Sequence, residues 1–260
     1  MTGFSAAPRS IRTGRDVLLL RVSRDRLLAV SCDAAGGIGL KFHDKVRARP
    51  RLLGKLTARV ALMELLAIGA NPIALAGTLS VEPEPTGNQV IKGMLDEVRY
   101  ARLRNVQILS SSEKNVRVGQ TGIGVTAIGL VSASNLKTGR CTPGDEIVAV
   151  GEPHVGQEVP RGEANRQIAD TLDIVKIREK PFVHETIPVG SRGILKEART
   201  MAKDSNLAVR LLGSQRVDLK KSAGPATVLL CALREGSFRK LGALLDKPTS
   251  VIGQLCKRRA

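Results

Sequence analysis

Hydrophobic and polar positions alternate in short blocks along the chain. Asp16–Val22 (DVLLLRV) and Leu27–Cys32 (LLAVSC) are apolar runs joined by the polar turn Ser23–Arg26, the pattern of a β-hairpin. Leu52–Ala70 (LLGKLTARVALMELLAIGA) is apolar nearly all round from Val60 onward, which predicts a buried helix with Gly69 just past its end. Glu64 shares a helix face with Val60 and Ile68. Pro72–Val81 (PIALAGTLSV) predicts a buried strand, and Glu82–Pro85 a turn. Thr86-Gly-Asn-Gln89 has the form of a capping box, opening a helix with Val90, Ile91, Met94, Leu95 and Val98 toward the core. Val106–Leu109 and Gly122–Ser134 are further strands.

Asn135–Pro143 breaks the pattern and predicts a boundary between domains 1–142 and 143–260. Beyond it we expect strands at Ile147–Gly151, Leu207–Leu212 and Ala226–Cys231, and helices at Ala164–Leu172 and Ile194–Lys203. Glycine-bearing turns stand at 151–156 and before Ala226, and His184–Gly193 reads as a loop. Residues 1–15 read as a polar, basic, mobile arm and the tail CKRRA as frayed. The mixture of elements is α+β.

Composition narrows the classes. The 260 residues can bury a substantial core, and no apolar run approaches the roughly 20 residues of a membrane span. The start, MTGFSAAPRSIRTGRD, lacks an apolar signal-peptide region, so the expected location is cytoplasmic, with no membrane partner. Cys32, Cys141, Cys231 and Cys256 lack CxxC spacing, which argues against a zinc site or a disulfide scaffold. The net charge of +17 fits either a basic solvated surface or a polyanionic partner. With one Tyr, four Phe and no Trp, the stacking platforms of single-strand nucleic-acid binders are nearly absent.

Candidate chemistry concentrates in Ser31–Lys45, SCDAAGGIGLKFHDK. Asp33 ends an apolar run, Gly36, Gly37 and Gly39 leave the backbone bare, and Lys41, His43 and Lys45 follow. These are the materials of a site for a metal-bound phosphate ester, although neither GxxxxGK[ST] nor GxGxxG is present. Glu64, on an apolar face, needs a partner: a nearby arginine, or a cation shared with Asp33. Ser110–Asn115 is a second strand end carrying hydroxyls and a carboxylate, Glu113.

The stretches DAAGGIGLKFHDKV (33–46), RVALMELLAIGANP (59–72), SSSEKNVRVGQTGIGVTAIG (110–129), PVGSRGILKEA (188–198) and KSAGPAT (221–227) resemble, in order and spacing, the AIR-synthase-related group of the PurM-like superfamily. That superfamily includes aminoimidazole ribonucleotide synthetase, thiamine-monophosphate kinase, selenophosphate synthetase and a hydrogenase maturation protein. The resemblance implies a two-domain α+β fold and a homodimer. N-terminal strands of both subunits would form a barrel, a C-terminal α/β sandwich domain would follow, and ATP and Mg²⁺ would lie in a cleft. It implies Asp16, Asp33, Glu64 and Glu113 as metal-binding acids, with Glu standing where the family has Asp at 64 and 113. Gly36, Gly37, Gly39, Lys45, Glu113, Asn115, Gln120 and Thr121 would meet ATP. Asp33, Lys41 and His43 would serve phosphoryl transfer, His43 either as base or as a structural or phosphate contact. PVGSRGI has no carboxylate where the kinases have DxSDGL, and Arg192 is left to meet an acidic group.

Within the superfamily the chain looks most like alpha-ribazole kinases, which implies phosphorylation of a nucleoside-like alcohol in cobalamin salvage. The competing expectations are an ATP-dependent cyclo-ligase and a basic nucleic-acid binder. Convergent carboxylates argue against the last, since a phosphate-backbone binder has no use for them.

Overall fold

The computed structural model describes residues 10–11, 13–214 and 216–258. Along the chain run β1 (Ser10–Ile11), β2 (Leu18–Arg21), β3 (Arg26–Gly36), the short β4 (Ile38–Gly39) and β5 (Val46–Arg47), then α1 (Pro50–Ala67), β6 (Asn71–Leu79), α2 (Asn88–Tyr100), β7 (Gln107–Ser112) and β8 (Gly122–Ser132). There follow β9 (Glu146–Val150), α3 (Glu158–Ala164), α4 (Thr171–Ile177), β10 (Val183–Pro188), α5 (Gly193–Asp204), β11 (Leu207–Leu211), β12 (Leu229–Leu233), α6 (Phe238–Gly242) and β13 (Thr249–Lys257).

The first six-stranded sheet has the order β1-β2-β3-β8-β6-β7. Its hairpin, β2 with β3, pairs Leu18 with Val30 and Arg21 with Leu27. β8 alternates strictly, with Ile123, Val125, Ala127 and Val131 turned inward. The second sheet, β10-β12-β9-β13-β11, is five-stranded and antiparallel throughout.

α1 lies between the two. Leu62, Leu65 and Ile68 join the core of the first sheet, while Met63, Leu66 and Ala67 pack with Val148, Val150, Leu229 and Cys231 of the second. That placement explains why its sequence is apolar nearly all round; each fully buried Leu or Met contributes about 1.5–3 kcal/mol. Gly69 follows the helix with φ 85°, the left-handed C′ geometry expected of it. α1 and α2 touch backbone to backbone: a Cβ on Gly54 would collide with the Val90 carbonyl, and one on Gly93 with that of Arg51.

Several expectations are corrected. Thr86 does not cap α2: its hydroxyl donates to Glu82, and the N-cap is Gly87 without a side-chain bond. The single helix over 164–172 is instead the end of α3 and the start of α4. Arg166 has φ 58°, and Asp170 with Asp173 forms a capping box that starts a new helix. The loop expected at His184–Gly193 begins as strand β10, and the frayed tail is in part β13, whose Cys256 pairs with Ala208. Of the expected mobile arm, residues 1–9 and 12 lie outside the described residues. Ser10–Ile11 pairs with β2, and Arg15 is buried against Glu185.

Candidate functional site

β3 runs antiparallel to β8 until Gly36 faces Gly122, and the chain then turns sharply. Gly37 (φ 71°) accepts from Lys45 N at 2.7 Å and donates to Thr121 O at 2.8 Å. Gly39 lies so close to Thr121 Oγ1 and Asp44 that a Cβ would collide with both. Asp44 fixes this loop: it accepts from Lys41 N (2.8 Å), Thr121 N (2.8 Å) and Thr121 Oγ1 (2.7 Å).

Beside this turn lies a cavity of about 650 Å³ between the two halves of the chain. Asp16, Asp33, Gly36, Gly37, Lys45, Glu64 and Gln120 line it. The second half closes it with Val155–Gly156, Pro188–Ser191 and Gly224–Ala226, from the three glycine-bearing segments visible in the sequence, and with Val159–Pro160 of α3. The structure therefore brings Asp16, Asp33 and Glu64 to one cavity. A Cβ at Gly36 or Gly190 would meet no protein atom within 4 Å, so these glycines leave room for something other than protein.

The carboxylates bear the mark of this environment. Burial raises the Asp33 pKa to about 6, against a backbone hydrogen bond from Ala34. Burial also raises Glu64 to about 8; Arg15 opposes this, while Asp16, Glu197 and Asp33 reinforce it. Burial, then Asp16, raises Glu197. Glu197, on α5, is an acid near Asp16 and Glu64 that the sequence reading missed, although it does not line the cavity. Its one signal is a position beside the buried stripe Ile194, Ala198 and Met201. Glu64 makes no ion pair among the described residues, so no arginine contact meets it directly.

The other expected residues lie elsewhere. Lys41 pairs with Glu82 at 2.5 Å. His43 packs its ring on Gly119 and edge-on to Phe42. Glu113 turns back on its own loop, accepting from Asn115 N (2.7 Å) and Val116 N (3.1 Å). Thr121 is buried against Asp44. Gly39, Lys41, His43, Glu113, Asn115 and Thr121 are not in the cavity lining, and Glu113 does not join the other acids.

The oxygen-rich, partner-poor carboxylates and the room left by Gly36 and Gly190 fit a hard cation carried by a ligand. Among the described residues, no group of three or more His, Cys, Asp or Glu is disposed to hold a metal by itself. Magnesium does not require such a cage, since it takes one or two carboxylates and fills its shell with phosphate and water.

Residues 14–131 match the family model "AIR synthase related protein, N-terminal domain". Among solved structures, thiamine-monophosphate kinase from Stenotrophomonas maltophilia K279a is similar at 19% identity and TM-score 0.63, over 96% of this chain and 90% of that one. AaThiL complexed with AMPPCP and TMP is similar at 14% and 0.64, over 95% and 86%. The hydrogenase maturation protein HypE in complex with ATP is similar at 18% and 0.60, over 92% and 79%. No curated protein matches the chain. None of the described helices is long and apolar enough to cross a membrane.

Proposed function

We propose that the protein is an ATP-dependent kinase that transfers the γ-phosphoryl group of Mg·ATP to a nucleoside-like alcohol, alpha-ribazole being the best candidate. The observation that carries this reading is the meeting of Asp16, Asp33 and Glu64 beside Gly36, Gly37 and Lys45 in one cavity. Two of the similar solved structures hold ATP or AMPPCP, and two are thiamine-monophosphate kinase and AaThiL.

In this reading one or two of the cavity acids Asp16, Asp33 and Glu64 would hold magnesium through oxygen, with phosphate and water filling the rest of its shell. The bound ion would offset charge on the β- and γ-phosphates. The open backbone at Gly36 and Gly37 approaches phosphate oxygens without a Cβ in the way. Lys45, exposed and without an ion pair among the described residues, adds positive charge as the γ-phosphorus parts from the leaving oxygen and bonds to the alcohol. The alcohol proton passes to a cavity carboxylate. His43 is set aside for this step because its ring is packed on Gly119, outside the cavity.

The working unit in this reading is a homodimer formed through the outer face of the first sheet. Leu18, Val30 and Ile128 lie in one row there, and Leu20, Leu28 and Leu130 in another, all at least partly exposed. The halves 1–142 and 143–260 act as domains, each holding one of the two large sheets.

The test is incubation with ATP, Mg²⁺ and a nucleoside panel including alpha-ribazole, followed by mass spectrometry. ADP with a phosphorylated nucleoside is the expected outcome. ADP and free phosphate with ring closure would replace the kinase reading with a cyclo-ligase. No ATP consumption with any acceptor would overturn it.

A further inference from the structure

The loop after the glycine turn displays side chains that the site described above does not use. Phe42 is 86% exposed and Leu40 59%, and Val116 on the adjoining loop is 65% exposed. The other described phenylalanines, Phe182 and Phe238, pack against a core. Phe42 is not displayed through slackness. Asp44 closes its loop from within, His43 N donates to Gly119 O at 3.0 Å, Gln120 Nε2 donates to His43 O at 3.2 Å, and the His43 ring braces Phe42 edge-on at 4.9 Å. A rigid loop holding a phenyl ring in water costs apolar burial unless something covers the ring.

Charge decides what covers it. Lys45, Arg47, Lys114 and Arg117 surround these loops, all exposed and none in an ion pair among the described residues. The nearby acids are engaged: Asp44 within the loop, Glu82 with Lys41, and Glu113 in its own turn. An apolar platform ringed by free cations fits a flat heteroaromatic group attached to a polyanion. A second copy of this chain would bring the same cations face to face. Residues Gly36–Ile38 and Lys45–Val46 of the same loop line the cavity, so the platform stands beside the phosphate end of the site.

We propose that Phe42 is the stacking platform for the purine base of the nucleotide, and so a specificity-determining residue. This rests on the reading of the cavity as the Mg·ATP site. Stacking on an aromatic ring tolerates any base, so the platform sets affinity for a nucleoside triphosphate over bare polyphosphate.

The test compares ATP and inorganic tripolyphosphate, each with Mg²⁺, by calorimetry on the full chain. Both Phe42→Ala and Phe42→Trp change an exposed side chain and leave the core untouched. Phe42→Ala is expected to weaken ATP about tenfold or more while leaving tripolyphosphate unchanged, and Phe42→Trp to retain ATP binding. Equal loss of both ligands would reduce Phe42 to a support of the loop, and no loss of either would remove it from the site; each result overturns the platform while the Mg·ATP reading stands. A switch from dimer to monomer with ATP affinity intact would assign the patch to an interface between copies and overturn it too. If the unaltered protein binds neither ligand, the nucleotide reading and the platform fall together.

Discussion

Arg59 of α1 and Glu163 of α3 meet at 2.6 Å, joining the helix that carries Glu64 to the segment that walls the cavity from the other side. Arg59 is 1% exposed and also binds Glu97 of α2 at 3.0 Å, so one guanidinium holds three helices. Removing one partner of such a buried pair leaves charge uncompensated. Glu163→Gln should therefore destabilise the fold by about 3 kcal/mol, read by urea denaturation. A change near zero would show that Glu97 alone satisfies Arg59.

The same pair sets a pH dependence. Burial pushes Glu163 up, but hydrogen bonds and charge from Arg59 and Lys55 outweigh it and hold its pKa at about 2. In the unfolded chain it titrates near the ordinary 4.5. Between these values the unfolded chain binds the extra proton, so stability rises with pH. The contribution is complete above about pH 4.5 and is lost as pH falls toward 2. Thermal melts of Glu163→Gln should show a shallower decline over this window than the unaltered protein.

Glu64 should behave in the opposite sense. Its folded pKa of about 8 lies above the ordinary 4.5, so stability falls as pH rises between them. Glu64→Gln should raise the melting temperature of the ligand-free protein, more at pH 9 than at pH 5, while abolishing turnover. A variant that melts lower at pH 9 would show that Glu64 is a structural pair rather than a site held ready for a cation.

Asp33→Asn should keep the fold and lower phosphoryl transfer by roughly a hundredfold or more. Near-normal turnover, with circular dichroism unchanged, would remove Asp33 from the machinery.

Gly93→Ala tests the seam between α1 and α2. The added methyl meets the Arg51 carbonyl, which is backbone and cannot swing aside. Forced separation of the helices should cost at least about 1–3 kcal/mol in denaturant, and Gly54→Ala, against the Val90 carbonyl, should act alike.

What the sequence determined by itself was whatever depends on near neighbours. The β2–β3 hairpin, the alternation of β8, the all-round apolar α1 and its Gly69 terminus follow from side-chain periodicity and backbone freedom, which act over a few residues. The glycine turn and Asp33 were legible for the same reason. β10 and β13 were not. HETIP and TSVIGQLCK are mixed in polarity and become strands because β12, β9 and β11, distant in sequence, supply their backbone partners. Thr86 had the signature of a cap, yet Glu82 took its hydroxyl. Tertiary structure alone decided which acids meet. It drew Asp16 and Glu64 to the cavity with Asp33, and left Glu113 on its own loop. Convergence on a cavity depends on how helices and sheets pack across the whole chain, and no local pattern encodes that.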